Sequence, residues 1–172
     1  HLEATWVELL LPRMKGILVG ACYRPPTDSN FIPRLEQALA KADLGKELYL
    51  FGDTNINVGQ PSPLVARYLD TLGLFNCCQL VSEPTRVTPT CATVLDHIIV
   101  NSKDMVRHHG VMDWGLSDHQ AIYCTRLVPK EVFGESLAKR VRSYKHYSAS
   151  ALRSELARID WLPVLRSDDV SH

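Results

Sequence analysis

The sequence predicts an α/β fold of the sandwich type. Its 172 residues are 45% hydrophobic and 22% charged, which is the composition of a soluble globular protein with a substantial core. Short apolar runs with the length of β-strands recur up to about residue 127, and two amphipathic helices interrupt them. Strands that alternate with only two helices favour an α+β or α/β sandwich over a helical bundle.

Two strands are predicted at the start of the chain. Residues 4–11 (ATWVELLL) and 15–23 (KGILVGACY) are apolar runs separated by Pro12-Arg13-Met14. The second run is almost wholly apolar, so we expect it to be buried on both faces. The turn sequence at residues 24–28 then ends this strand.

Two helices are expected next. The first should begin after Asn30 as its N-cap, with Pro33 in its first turn. The second should begin after Ser62 as its N-cap and stop at Gly73. Their apolar faces consist of Ile32, Leu35, Leu39 and Ala42 in the first helix and Leu64, Val65, Leu69 and Leu72 in the second.

The remaining strands and a domain boundary follow from the same patterns. Strands are predicted at 47–52, 76–81, 94–100, 106–112 and 120–127. After Pro129 the chain becomes polar and basic, and a helix that opens at Ser148 or Ser150 carries Leu152, Leu156 and Ile159 at helical spacing. We therefore predict a domain of residues 1–128, followed by residues 129–172 as a linker and helix.

Charge and cysteine content restrict the function classes. Lys+Arg and Asp+Glu both total 19, so net charge gives no argument for nucleic-acid binding. The basic cluster at 139–145 is interpreted as a solvated linker, with a phosphate-contacting tail as the alternative. Five cysteines without a CxxC motif indicate reduced thiols in an intracellular compartment.

The ends of the sequence and its hydropathy lead to two further expectations. No apolar run is long enough to cross a bilayer, so no membrane partner is expected. The chain begins at His1 within strand-like sequence, and we therefore expect it to be a fragment of a longer protein.

A polar motif, FGDTNIN at residues 51–57, ends the predicted strand at 47–52. Asp53 and Asn55 are two residues apart, and on an extended chain their side chains point the same way. A carboxylate and a carboxamide are hard oxygen ligands, which suit Mg²⁺ rather than zinc and can also orient a water molecule.

A second polar feature is Asp96, which lies between Leu95 and Ile98. Burying an unpaired carboxylate in an apolar strand is costly, so Asp96 needs a partner, and His119 is the candidate. An imidazole held by a carboxylate at one nitrogen can donate from the other to a phosphate oxygen. The adjacent His108 and His109 have no partners at zinc spacing and are interpreted as solvated turn residues.

Five motifs in order carry a resemblance to a known family. They are Tyr23-Arg24-Pro25-Pro26, Gly52-Asp53-Thr54-Asn55, Pro84-Thr85-Arg86, Leu95-Asp96-His97-Ile98 and Ser117-Asp118-His119. This order resembles the later half of the endonuclease/exonuclease/phosphatase superfamily, and most closely the endonuclease domain of non-long-terminal-repeat (LINE-type) retrotransposons. The resemblance implies a DNase-I-like four-layer α/β sandwich that is truncated at its N-terminus.

The resemblance also implies catalytic roles. Asp53 would orient or deprotonate the attacking water, and Asn55 would hold the water and the phosphate. Asp96 would pair with His119, which would bind the scissile phosphate and stabilise its developing charge. Tyr23 would donate a hydrogen bond to the same phosphate.

Three further residues receive more peripheral roles. Asp118 would lie in the metal or leaving-group region, and Thr93 would support the substrate-binding network. Arg86 would contact DNA, although anchoring of its loop to a carboxylate is the favoured alternative.

The implied activity is Mg²⁺- or Mn²⁺-dependent hydrolysis of DNA, which leaves a 3′-hydroxyl nick. In the intact parent this nick would prime a reverse transcriptase domain in cis, at a nuclear DNA target. The segment after residue 129 is similar to the linker that leads toward that domain. Two alternatives stay open: another phosphoesterase of the superfamily, acting on a lipid or nucleotide phosphate, and a non-catalytic remnant.

The sequence also departs from the family's pattern. The earlier half of the family's domain supplies an Asn and the principal metal-binding Glu, and this chain has neither; Glu3 and Glu8 are not assigned to that role. Thr54 replaces the commoner aromatic residue of the GDFN motif, which is interpreted as a loss of packing more than of chemistry.

Overall fold

The computed structural model describes residues 2–12, 14–115, 117–128 and 147–162. The chain divides into two compact units, residues 1–134 and 135–172. The predicted boundary at residue 129, the basic cluster at 139–145 and most of the predicted linker lie outside the described residues.

A five-stranded mixed sheet forms the centre of the first unit. Its strands are β1 (Ala4–Leu9), β2 (Ile17–Tyr23), β3 (Glu47–Asp53), β4 (Cys78–Gln79) and β7 (Asp96–Val100). Their order across the sheet is β1-β2-β3-β7-β4. β2 and β3 are parallel, while β1 and β7 are antiparallel to their neighbours, so the ends of β2 and β3 meet the start of β7 at one edge.

Two smaller antiparallel pairs complete the strands. They are the hairpin of β5 (Arg86–Thr88) and β6 (Cys91–Thr93) and the ribbon of β8 (Val106–Met112) and β9 (Ala121–Arg126). A single 3₁₀ turn (Lys103–Met105) precedes β8. The predicted strand at 76–81 was too long, because only two of its residues pair with β7, and the β5–β6 hairpin was not predicted.

Helix α1 (Phe31–Lys41) and helix α2 (Pro63–Leu74) begin where they were expected. The Ser62 hydroxyl oxygen accepts a hydrogen bond from the amide of Val65 at 3.2 Å, as an N-cap does. Asn30 makes no such side-chain bond; instead its amide donates to Oδ1 of Asp28 at 2.9 Å. The second helix continues one residue past the predicted stop at Gly73.

Different elements pack against the two faces of the sheet. Leu48 and Leu50 of β3 share a core with the buried apolar residues of α1 and α2. Tyr49 of the same strand belongs to a second core, against which Val111 and Ile122 of the β8–β9 ribbon pack. Because side chains alternate along a strand, β3 contributes to both cores. The predicted α/β class is confirmed, with helices on one face of the sheet and a ribbon on the other.

In the second unit the structure describes residues 147–162, which contain helix α3 (Ala149–Arg158). Of the two predicted start positions, Ser148 is the N-cap, and its hydroxyl oxygen accepts from the amide of Ala151 at 3.3 Å. The predicted apolar residues Leu152, Leu156 and Ile159 are exposed. Among the described residues, no helix combines the length and the apolar character needed to span a membrane.

Candidate active site

Strand register brings three predicted site residues into one row. Asp53 at the end of β3 lies opposite Tyr23 at the end of β2 and opposite Asp96 at the start of β7. Residues directly opposite each other point to the same face of a sheet. Gly52 permits the close approach of β2, because a Cβ at this position would collide with the carbonyl oxygen of Cys22.

The loop before β9 brings His119 to this row. Nδ1 of His119 lies 3.0 Å from Oδ2 of Asp96, which is the contact expected from the sequence. The Asp96 side chain is 16% exposed and that of His119 is 32% exposed, so the pair lies at the rim of the core. The carbonyl oxygen of His119 accepts from the indole of Trp114 at 2.9 Å, which fixes the loop.

Asp53, Asp96 and His119 together form a group that can hold a cation. One ligand atom from each lies within 4.8 Å of the others. Burial raises the pKa of Asp53, and the negative charge of Asp96 adds to this shift, while the bond from the Asn55 amide opposes it. A divalent cation bound between the two carboxylates would offset the charge that disfavours ionisation of Asp53.

The backbone at Asn55 is not extended, although the sequence predicted an extended chain through Asp53 and Asn55. The extended chain ends at Asp53, and Asn55 takes a left-handed conformation with φ of 48°. Its amide donates to Oδ1 of Asp53 at 3.0 Å, and its side-chain nitrogen donates to the carbonyl oxygen of Arg24 at 2.8 Å. A tight turn, rather than strand alternation, therefore brings Asn55 beside Asp53.

The buried side chain of Arg24 holds this turn through hydrogen bonds. This role was not predicted from the sequence. The residue is only 6% exposed. Its Nη1 donates to the carbonyl oxygens of Thr54 and Asn55 at 3.2 and 3.1 Å, and its Nε donates to that of Asp28 at 3.0 Å. The guanidinium thus ties the Tyr23-Arg24-Pro25-Pro26 loop to the Asp53 turn.

Thr85 is a second residue that sequence reasoning missed. Its buried hydroxyl oxygen accepts from the amides of Leu95 and Asp96 at 3.0 and 2.9 Å. Its carbonyl oxygen accepts from the amide of Gln120 at 2.6 Å. Thr85 therefore holds both the strand that carries Asp96 and the loop that carries His119.

Thr93, the predicted support of this network, takes part through its main chain. It lies in β6, where its carbonyl oxygen accepts from the amide of Thr85 at 2.9 Å. Thr85 lies in the Pro84-Thr85-Arg86 motif, which is the signal in the sequence that could have identified it.

Arg86 and Asp118 form an ion pair beside the cluster. Nε of Arg86 lies 2.7 Å from Oδ2 of Asp118, and both side chains are nearly half exposed. The hydrogen bond from Arg86 holds the pKa of Asp118 below its usual value. Asp118 is not a member of the three-residue group, and Arg86 makes the loop-to-carboxylate contact that was the alternative to DNA binding.

Thr54 corrects the interpretation of the GDTN motif as a loss of packing. Its hydroxyl is fully buried and lies 3.2 Å from the carbonyl oxygen of Leu95 and 3.0 Å from Nδ1 of His97. The substitution therefore brings a hydrogen-bonding group into the core. Burial lowers the pKa of His97 to about 4, so its imidazole is neutral near pH 7.

The remaining predicted residues are found at the surface. Tyr23 is 43% exposed at the end of β2. His108 and His109 are exposed as expected, but they lie in strand β8 rather than in a turn. All five cysteines are free thiols.

Comparison with solved structures identifies the fold. The chain is similar to the endonuclease domain of TRAS1, a telomere-specific non-LTR retrotransposon, with 16% identity and a TM-score of 0.64 over 74% of this chain and 65% of that chain. It is also similar to an endonuclease/exonuclease/phosphatase family protein from Leptotrichia buccalis, with 15% identity and a TM-score of 0.56 over 73% of this chain and 54% of that one.

A third similar structure is an endonuclease/exonuclease/phosphatase from Beutenbergia cavernae, with 17% identity and a TM-score of 0.51 over 70% of this chain and 38% of that one. No protein-family model and no curated protein matches the sequence. The chain spans less than two thirds of each of these three structures. It has the DNase-I-like fold of the endonuclease/exonuclease/phosphatase superfamily, as the ordered motifs predicted.

Proposed function

We propose that this chain is the later part of a metal-dependent phosphodiesterase domain that nicks DNA. The observation that carries the proposal is the convergence of Asp53, Asp96 and His119 at one end of the sheet, with their ligand atoms within 4.8 Å of one another. Likeness to the TRAS1 endonuclease domain supports DNA as the substrate.

His119 is the residue that binds the scissile phosphate. Asp96 accepts the hydrogen bond from Nδ1 at 3.0 Å, which fixes the orientation of the ring. Nε2 then donates to a phosphate oxygen and stabilises the negative charge that develops there. Tyr23, at the end of the neighbouring strand, donates its hydroxyl to the same phosphate.

Asp53 orients the attacking water and accepts its proton. Burial raises the pKa of this carboxyl, which moves it toward the range in which a general base works at neutral pH. The side-chain nitrogen of Asn55 donates one of its two hydrogens to the carbonyl oxygen of Arg24, so its second N–H and the carboxamide oxygen can hold the phosphate and the water.

The donor set suits Mg²⁺ or Mn²⁺. Carboxylate oxygens of Asp53 and Asp96 and the carboxamide of Asn55 are hard ligands, and a bound cation would supply charge neutralisation at the phosphate. Asp118 would join the metal or leaving-group region only after its ion pair with Arg86 opens. Thr93 completes the proposed substrate-binding set, and Arg86 would join it only when the same ion pair opens.

The biological role proposed on this basis is target-site nicking by a retrotransposon protein. The 3′-hydroxyl product would prime a reverse transcriptase domain in cis, at a nuclear DNA target. The alternative, a phosphoesterase acting on a lipid or nucleotide phosphate, shares the same fold and differs only in substrate.

The test is nicking of supercoiled plasmid by the 172-residue chain with Mg²⁺, with Mn²⁺ and with chelator. We expect metal-dependent nicking that His119→Ala abolishes and that His109→Ala, at an exposed position on β8, leaves intact. Hydrolysis of an inositol phosphate or nucleotide without nicking would favour the alternative. A folded chain that turns over none of these substrates would contradict the proposal and favour a non-catalytic remnant.

A further inference from the structure

A second row of residues, one position along each strand, lies behind the site row. Cys22, Gly52 and His97 each precede or follow a site residue by one position and are paired across β2, β3 and β7. Because side chains alternate along a strand, this row faces the helices while the site row faces the other way. His97 is fully buried in it.

His97 is surrounded by hydrogen-bond partners. Its Nε2 lies 3.3 Å from the carbonyl oxygen of Val94, so this nitrogen carries the hydrogen and donates. Its Nδ1 lies 2.9 Å from the Tyr68 hydroxyl, which can donate to it. The rings of Tyr68 and His97 are also in contact, with centroids 5.4 Å apart and planes tilted by 32°. This geometry assigns a single tautomer to the ring.

Thr54 joins this buried ring to the turn of the candidate active site. Its hydroxyl lies 3.0 Å from Nδ1 of His97 and 3.2 Å from the carbonyl oxygen of Leu95, and it accepts from the amide of Ile56 at 3.3 Å. Because Nδ1 has one lone pair, the Tyr68 and Thr54 hydroxyls share it as an acceptor, and the Thr54 hydroxyl can donate to Leu95 instead. The amide of Thr54 donates to the carbonyl oxygen of Leu95 at 2.9 Å. The residues on either side of Thr54 are Asp53 and Asn55, and the residue after Leu95 is Asp96.

We propose that the buried chain of Tyr68, His97 and Thr54 positions the reacting groups, by holding the Asp53–Asn55 turn against the start of β7. It links helix α2 to both strands that carry the carboxylates of the cluster. None of the three side chains touches substrate, so they are positioning residues, and their role rests on the proposed function. A satisfied polar network in a core restricts its members to one arrangement.

The test compares variants of nearly equal shape. Thr54→Val removes the hydroxyl and keeps the volume, whereas Thr54→Ser keeps the hydroxyl and serves as the matched control. Tyr68→Phe removes only the phenolic oxygen, and the double variant with Thr54→Val tests whether the two hydroxyls act through the same ring.

Amide hydrogen exchange provides a measurement that does not depend on turnover. The reporters are the amides of Asn55 and Asp96, whose acceptors are Asp53 and Thr85 rather than members of the buried chain. We expect exchange at both amides to accelerate about tenfold in Thr54→Val and in Tyr68→Phe, relative to the amide of Leu39 in α1, as for the loss of one hydrogen bond. Thr54→Ser should behave like the unaltered chain.

Plasmid nicking provides the second measurement. We expect kcat to fall about tenfold in each variant that lacks a hydroxyl while KM changes less than twofold, because misplaced groups lose transition-state contacts first. The double variant should lose less than the product of the two single effects. Equal acceleration at Leu39, Asn55 and Asp96, or a Thr54→Ser variant as impaired as Thr54→Val, would overturn the positioning role.

The two measurements separate this inference from the proposed function. If the unaltered chain does not nick DNA, the proposed function fails, and selective exchange at Asn55 and Asp96 still decides whether the buried chain holds the turn. If the chain nicks DNA and the variants keep full kcat with unchanged exchange, the proposed function stands and the positioning role is wrong.

Discussion

Two histidines near the same carboxylate have opposite surroundings. His97 follows Asp96 in β7 and is fully buried between Tyr68 and Thr54. His119 comes from a loop, is about one third exposed and bonds to the Asp96 side chain. Because β7 alternates, Asp96 faces the candidate active site while His97 faces the helices. A shift of one position along β7 therefore separates Asp96, which faces the candidate active site, from His97, which is buried in the core.

The largest expected effect tests the exposed histidine. His119→Ala removes the phosphate donor and should lower the rate of nicking by about 10²–10³-fold, the range typical of losing one donor to a developing negative charge. The free energy of unfolding should fall by only about 1 kcal/mol, because Asp96 loses one hydrogen-bond partner while the side chain of His119 lies at the rim. Nicking assays and urea unfolding of the same preparation check both statements, with His109→Ala as the control. A rate loss matched by a loss of folded protein would remove the contrast between the two histidines.

The buried histidine should instead give pH-dependent stability. Burial lowers the pKa of His97 from 6.5 to about 4. The unfolded chain therefore binds a proton that the folded chain excludes, so stability is present above pH 6.5 and is lost as pH falls toward 4. The loss amounts to about 3 kcal/mol for this one group. Unfolding by urea at pH 7 and at pH 4 should show it, and His97→Gln should reduce the difference between the two pH values.

His109→Ala controls for other groups in this experiment. It removes an exposed histidine of β8 and leaves both His97 and the Asp96–His119 pair intact, so its pH dependence should match that of the unaltered chain. An identical slope in His97→Gln and in the unaltered chain would mean that His97 does not carry the effect.

Variants of Thr85 test whether the surroundings of His97 and those of His119 are independent of each other. Thr85→Val removes the acceptor for the buried amides of Leu95 and Asp96 and should cost about 1–3 kcal/mol of unfolding free energy. Thr85 holds the loop of His119 through Gln120, so nicking should also fall. Thr85→Ser should restore both properties. If the imidazole signals of His97 shift as much as those of His119 in NMR spectra, the two environments are coupled rather than separate.

Asp53 offers a smaller effect on stability, opposite in sign to its effect on activity. Burial raises its pKa, so the folded chain favours the protonated form, and the stability that this form supplies at low pH is lost as pH rises past the raised pKa. Asp53→Asn avoids that loss. It should raise the Tm at pH 7, leave it unchanged at pH 3 and abolish nicking. A lower Tm at pH 7 would mean that the carboxylate is stabilised by contacts that outweigh its burial.

The parts of this site that could be predicted are those for which the local sequence around one residue already indicates the need for a partner. The Asp96–His119 contact was predictable because a carboxylate within an apolar strand needs a partner. Arg24 and Thr85 were not, because their bonds to main-chain groups 10 or more residues away depend on how segments meet and leave no periodic pattern. The left-handed turn at Asn55 was missed for the same reason.

The elements of the fold also divide into those that the local sequence predicts and those that it does not. The long strands and both helices of the first unit followed from apolar periodicity and from the Ser62 cap. The β5–β6 hairpin did not, because its strands have three residues each and are largely exposed. Short exposed pairs are determined by register with their neighbours, and here Arg86 of β5 bridges to His119.

The smallest expected effect concerns Arg86, whose side chain bonds to Asp118 rather than to either histidine. Its ion pair with Asp118 is exposed and screened by salt, so Arg86→Gln should leave the Tm unchanged. Since the guanidinium is already engaged by Asp118, we expect the KM for plasmid to change less than twofold. A rise in KM, together with a fall of about one in the slope of log KM against log salt concentration, would instead identify Arg86 as a phosphate contact. In that case the ion pair with Asp118 opens when DNA binds, and Asp118 becomes free to serve the metal or leaving-group role predicted for it.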